Sequence, residues 1–143
     1  MIVITGASGF IGTNLAKKLI KQGYKVKCFA RKTSNISELR KLGAEIAYGD
    51  VTDKASISKA IRENDVAVHL AAVTSEVSSD YALSRKINVV GTRNLLEICK
   101  EKNAKRIIHL TSESTKRKIK GAYARTKAEA DEMIKGFGVP YTL

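Results

Sequence analysis

The sequence predicts an α/β fold, a doubly wound parallel sheet in the middle layer of an α/β/α sandwich. Three observations predict it. Short apolar runs of β character alternate with longer runs of helical periodicity along the whole chain. Strands joined by helices of about ten or more residues pair in parallel, through right-handed crossovers. A glycine-rich turn, ITGASGFIG, joins the first strand to the first helix.

The elements follow in order. MIVIT is a strand, and FIGTNLAKKLIKQG a helix that places Ile11, Leu15 and Leu19 on one stripe and stops at Gly23. KVKCFA is the second strand, and EIAYG a short third after the small helix ISELRKLG. A helix over 54–63 leads to the strand VAVHLAA, and a long helix covers 79–102. RIIHLTS is the next strand, 122–136 the last helix, and VPYTL opens one more strand. The 143 residues read as one domain without repeat or linker, and as the N-terminal part of a longer chain whose substrate-binding part is absent.

Composition narrows the function. A hydrophobic content of 43% and a charged content of 28% fit a soluble globular protein. No apolar run approaches the roughly 20 residues of a membrane span, and the N-terminus has no basic leader. Cys28 and Cys99 stand far apart in apolar surroundings, as free buried thiols do, which fits a cytoplasmic protein. The net charge of +12 concentrates anions near the surface, but the lysines are scattered over predicted helix faces, as in KKLIKQGYKVK. The densest cluster, TKRKIKG at 115–121, reads as a mobile loop, or else as one that closes over an anionic ligand. With 6% aromatics and no Trp there is no base-stacking series, so no specific nucleic-acid partner is expected.

Gly6, Gly9 and Gly12 have the spacing that lets backbone reach a pyrophosphate at a helix N-terminus. Gly6 permits the turn, Gly9 close approach, and Gly12 helix-on-strand packing. Backbone N–H groups near Phe10 and Ile11 would point at the phosphates. An acid at the end of the second strand would hold ribose hydroxyls and favour NAD. Here CFARK places Ala30 there with Arg31 next, and a guanidinium suits a 2′-phosphate, with Lys32 adding charge. NADP is therefore expected ahead of NAD.

GAYARTKAEA places Tyr123 and Lys127 one helical turn apart, on one face. With five tyrosines in a lysine-rich chain that spacing decides nothing alone, and its context matters. His69 and His109 hold matching places in neighbouring strands, but no Cys or carboxylate is spaced to complete a metal set, so both read as buried strand residues.

Together the segments resemble the extended short-chain dehydrogenase/reductase family, the NAD-dependent epimerases and dehydratases, whose N-terminal domain is Rossmann-like. TGASGFIG is similar to its glycine loop, with Ser8 inside it, and GDVTD to its adenine-contacting segment, which implies Asp50 and Val51 beside the base. HLAA resembles the segment that lines the cofactor, implying Leu70, Ala71 and Ala72, and INVVGTRNLL the long-helix signature. HLTS resembles the strand end that carries the catalytic hydroxyl, and YARTK the Tyr-Lys pair. The resemblance implies that the Tyr123 hydroxyl exchanges a proton with the substrate oxygen while hydride moves to or from the cofactor. A neighbouring ammonium favours phenolate, so Lys127 supports that chemistry and, by the resemblance, also bonds the nicotinamide ribose. Ser112, with Thr111 as a second candidate, would polarise the substrate oxygen, and the resemblance implies that Thr111 and Tyr123 also lie against the cofactor. Asn88 resembles a residue that orders the site.

Only ten residues separate Ser112 from Tyr123, a spacing found in reductase-like members and in non-catalytic ones. Ser112-Glu113-Ser114 replaces the Thr-Asp-Glu of dehydratases, which disfavours dehydration and a general-acid role for Glu113. The leading expectation is an oxidoreductase acting on a carbonyl or alcohol of a sugar nucleotide or similar small molecule. The alternative is a non-catalytic dinucleotide-binding regulator or accessory subunit. On the long helix Leu83, Ile87, Val90 and Ile98 make one apolar stripe, and Val89 and Leu96 another. Family members dimerise through helices equivalent to 79–102 and 121–136, so a homodimer is expected.

Overall fold

The computed structural model describes residues 1–74 and 80–143. Six parallel strands form one sheet: β1 (Ile2–Thr5), β2 (Val26–Ala30), β3 (Glu45–Tyr48), β4 (Val66–His69), β5 (Arg106–His109) and β6 (Tyr141–Thr142). Their spatial order is β3-β2-β1-β4-β5-β6. In register, Thr5 stands beside Phe29 on one side and His69 on the other, and His69 beside His109. The doubly wound parallel sheet expected from the alternation of short and long apolar runs is present.

The helices are α1 (Phe10–Lys21), α2 (Ser37–Lys41), α3 (Lys54–Ala60), α4 (Tyr81–Arg85), α5 (Gly91–Glu101) and α6 (Ala122–Gly136). Successive residues of a strand point to opposite faces, and they feed two separate cores. Val3, Phe29, Ala67 and Ile107 pack with Ile57, Leu95, Leu96 and Ile134 from α3, α5 and α6. Ile4, Cys28 and Val68 pack with Ala16 and Leu39 from α1 and α2. Both thiols are free and buried, and burial pushes Cys28 up to about 11 and Cys99 to about 12, so neither is a nucleophile. Among the described residues no helix is long and apolar enough to cross a membrane.

Three expectations need correction. Ile11 is 51% exposed, and the buried seam of α1 is Gly12 and Ala16, with Leu15 and Leu19 only half-buried. The helix comes so near the first loop that only the smallest residues fit between. Lys27, counted among solvated charges, is 1% exposed, because every β2 residue is covered. Its ammonium leaves the core edge by donating to the Ala60 carbonyl at 3.1 Å and pairing with Glu45 at 3.2 Å. The helix of 54–63 ends at Ala60, where Ile61 turns extended.

The long helix differs most. Its expected first residue lies outside the described residues, and Asp80 caps α4 by accepting from the Ala82 N–H at 2.8 Å. Between α4 and α5, Lys86–Val90 is wound as a π-helix. That inserts one residue into the turn, so stripes drawn at a constant helical period slip past it. Ile98, Val89 and Leu96 all lie in the interior, and Leu83 and Ile87 border a cleft. The cluster expected to be a loop at 115–121 begins inside a 3₁₀ turn, Glu113–Lys116, capped by Ser112.

Candidate functional site

The strand order reverses between β1 and β4, which in such sheets opens a crevice at the carboxyl ends of the strands. A cleft of about 440 Å³ lies there. The segments that follow β1 to β4 wall it, and they bring together Gly6, Ser8, Gly9, Arg31, Asp50, Val51, Leu70, Ala71 and Ala72. These nine were expected from sequence. Phe29, Gly49, Val73, Leu83 and Ile87 also line it and were not expected. Gly49 was the legible one: a Cβ there would sit 2.5 Å from the Phe29 ring, so the glycine of YGD is needed for β3 to turn into the cleft.

The glycine loop has the geometry its spacing requires. Gly6 has φ +67°, and a Cβ on it would stand 2.7 Å from the Ala71 nitrogen, just past the end of the neighbouring β4. At Gly12 a Cβ would stand 2.3 Å from the Gly6 carbonyl oxygen. At Gly9 it would meet only that same oxygen, at 3.4 Å, so nothing inside the chain demands a glycine there. What remains is room in front of the α1 N-terminus. That end has no side-chain cap and no acid in its first turn, and the first-turn N–H groups at Phe10 and Ile11 lack intrahelical acceptors. The Phe10 side chain is 86% exposed and does not line the cleft, nor do Ile11 and Gly12. The residues present fit a dinucleotide: an open helix N-terminus for the pyrophosphate, and an apolar wall with Val51 for a base.

Around that wall the loops brace one another. Asp50 Oδ1 accepts from both the backbone N–H and the hydroxyl of Thr52, each at 2.8 Å. Asn94 donates to the Val51 carbonyl at 3.0 Å, and Gly91 leaves space for the Val51 side chain. Arg31, following the buried Ala30, lines the cleft, while Lys32 is not part of the lining.

Asn88, in the π-helical segment, is 1% exposed and fully used. Its amide accepts from the Val73 N–H at 2.8 Å and donates to the Val73 carbonyl and the Thr126 hydroxyl, each at 3.0 Å. It thereby ties the cleft wall to α6. Asn88→Ala would leave buried backbone groups unpaired, and the expected loss of stability is about 2–3 kcal/mol, read from the urea midpoint of the two-state unfolding curve.

Tyr123 and Lys127 lie one turn apart in the first half of α6, as expected. Their surroundings differ from expectation. Lys127 is 3% exposed, and its ammonium donates to His109 Nε2 at 2.7 Å. Burial draws Lys127 down to about 8, partly offset by the Asp131 carboxylate, and burial with the nearby ammonium draws His109 down to about 3. No hydrogen bond joins the Tyr123 hydroxyl to Lys127 or Ser112. The Ser112 hydroxyl caps the 3₁₀ turn, accepting from the Ser114 N–H at 3.2 Å with the Ser114 hydroxyl 2.9 Å away. Thr111, expected beside the cofactor and substrate oxygen, instead donates to Asp131. None of these four lines the cleft.

Both histidines are buried, His69 at 1% and His109 at 3% exposure. The Thr92 hydroxyl donates to the Asn88 carbonyl at 2.6 Å, so it accepts from His69 Nε2–H at 2.9 Å. The Thr5 hydroxyl then donates to His69 Nδ1 at 2.7 Å, which fixes a neutral ring.

Comparison with known proteins agrees with this architecture. The sequence model of the NAD dependent epimerase/dehydratase family matches residues 2–142. A protein named sterol demethylase protein B, from Methylococcus capsulatus, is 36% identical over 110 residues, 77% of this chain and 34% of that protein. The 3-beta-hydroxysteroid dehydrogenase of Mycolicibacterium neoaurum is 30% identical over 119 residues, 79% of this chain and 32% of that protein. The crystal structure of the Bordetella bronchiseptica enzyme WbmG in complex with NAD superposes with a TM-score of 0.86 at 22% identity, covering 98% of this chain and 50% of that one. At that identity the match speaks for the fold. The chain spans about a third of the length of these two curated relatives. With a six-stranded doubly wound sheet, a glycine loop at its switch point and a family match over 2–142, the chain belongs to the NAD-dependent epimerase/dehydratase family.

Proposed function

We propose that this domain binds a nicotinamide dinucleotide, NADP(H) ahead of NAD(H), and serves hydride transfer at a secondary alcohol or ketone. The observation that carries this reading is the cleft, which gathers an open helix N-terminus, Arg31 and the Asp50–Val51 loop at the switch point. Arg31, with no acid at Ala30, supports the preference for a 2′-phosphate. When bound, the nicotinamide would supply or accept the hydride. The chain's own part is proton movement: Tyr123 gives its hydroxyl proton to the substrate oxygen or takes one from it, Ser112 polarises that oxygen, and Lys127 holds ribose and stabilises the phenolate.

The substrate class is a sugar nucleotide or similar small molecule bearing such a carbinol. The names of relatives include steroid dehydrogenases, and the chemistry common to both classes is oxidation of a ring hydroxyl. A cytoplasmic setting fits the two buried free thiols. A homodimer through 79–102 and 121–136 is part of the proposal. Its support is that α4 and α6 lie side by side, linked by the Arg85–Glu129 pair at 2.7 Å, and sedimentation equilibrium reads it.

Calorimetric titration of the chain with NADPH and with NADH tests the reading. Tighter NADPH binding is expected, and Arg31→Ala should weaken it roughly 10- to 100-fold, the value of a charge-assisted contact, while NADH binding stays within about twofold. Equal binding of both dinucleotides by the parent chain would reduce Arg31 to a surface charge. Binding of neither would overturn the function.

A further inference from the structure

At the carboxyl end of β5, four side chains from that strand end and α6 converge. The Lys127 ammonium sits 2.7 Å from His109 Nε2, Asp131 Oδ1 lies 3.6 Å from the same nitrogen, and Thr111 donates to the other Asp131 oxygen. His69 stacks obliquely on His109 with ring centroids 5.2 Å apart. The family match and the cleft explain none of these contacts. Lys127 and Asp131 are one turn apart on α6, while His109 ends β5 and Thr111 lies two residues beyond it, so the group joins helix to strand end.

The proton positions follow from the donors. An ammonium has no lone pair, so His109 Nε2 must accept, and the ring proton is on Nδ1. That Nδ1 is buried without a hydrogen-bond partner among the described residues, as is Asp131 Oδ1. Such a half-satisfied arrangement is costly, and it is tolerable where a group is held for use elsewhere. Resting on the proposed function, in which Lys127 serves the ribose, we propose that His109 and Asp131 are positioning residues for Lys127, forming a socket that holds its buried ammonium away from the cleft lining until a dinucleotide draws it out. His109 supplies the acceptor, Asp131 the countercharge, and Thr111 fixes the carboxylate to the strand end. The charged and titratable groups around Lys127 are His109 and His69 from the strands and Asp131 from its own helix.

Three measurements on the 143-residue chain test it. Long-range ¹⁵N spectra of histidine should show His109 as the Nδ1–H tautomer at neutral pH, and an Nε2–H tautomer would overturn the socket without any variant. Lysine side-chain ¹³C titration should place Lys127 near 8. Asp131→Asn, which keeps an acceptor for Thr111 but removes the charge, should lower that value by about one unit or more, tenfold in proton affinity. An unchanged Lys127 titration would mean that Asp131 is only structural. Saturating NADPH should shift the His109 Nε2 resonance as Lys127 leaves. Binding by calorimetry with no His109 shift refutes release while the dinucleotide reading stands. If neither dinucleotide binds, the proposed function fails, and the tautomer and titration alone decide the socket.

Discussion

Gly12→Ala is expected to cost about 3 kcal/mol of stability, the upper range of overpacking, and to weaken dinucleotide binding roughly a hundredfold. The added methyl would lie 2.3 Å from the Gly6 carbonyl oxygen, 2.6 Å from Ala7 Cα and 2.9 Å from the Ala7 carbonyl carbon. All three are backbone atoms of the phosphate loop, so no rotamer change relieves the contact. Either α1 lifts from the sheet, uncovering Ala16 in the second core, or the loop shifts and its N–H groups lose their aim. Gly9→Ala is the matched control. Its methyl would meet one atom at ordinary contact distance, so the fold should keep its urea midpoint while binding falls. If Gly12→Ala unfolds at the parent's midpoint and binds as tightly, the loop is not the tight seat described here.

The difference between these two glycines was legible in the sequence, Gly9 for close approach and Gly12 for packing. The spacing of Gly6, Gly9 and Gly12 gave the loop, because backbone constraints act over neighbouring residues and leave a local trace. The six strands were legible for the same reason. The burial of Lys27 was not, since a lysine between Val26 and Cys28 looks like the outward residue of an alternating strand, and only the cover from Ala60 and Glu45 makes it interior. Nor was the π-helical turn at Lys86–Val90, which separates the cleft-lining Leu83 from the buried Ile98 along the helix. The sequence of a helix states its period only if the period is constant.

The candidate site divides along the same line. Nine positions expected at the cofactor line one cleft because each follows a strand end, and strand ends of a parallel sheet meet at one edge. The Thr111 hydroxyl donates to Asp131, 20 residues away, and no local pattern records that bond. Lys127 shows both sides: its turn-spacing from Tyr123 is visible in the sequence, whereas its bond to His109 exists only once α6 packs on β5.

Tyr123→Phe is expected to lower hydride transfer by about 10²–10⁴-fold, the usual worth of a positioned proton donor, with dinucleotide affinity unchanged within about twofold. The phenol does not line the cleft and no hydrogen bond ties it to Lys127 or Ser112, so its removal should disturb neither cofactor nor fold. That isolates the proton step, and single-turnover oxidation of a secondary alcohol at saturating dinucleotide, in the longest polypeptide that carries this domain, measures it. The same three residues fix the interpretation. Lys127 rests on His109 and the Ser112 hydroxyl on Ser114, so a working site requires both to turn toward Tyr123 when substrate and cofactor arrive. A dinucleotide-binding regulator has no such requirement. Retained turnover in Tyr123→Phe would remove the catalytic assignment, and a cellular effect that survives the change while Gly12→Ala abolishes it would establish the regulator, because binding would then suffice.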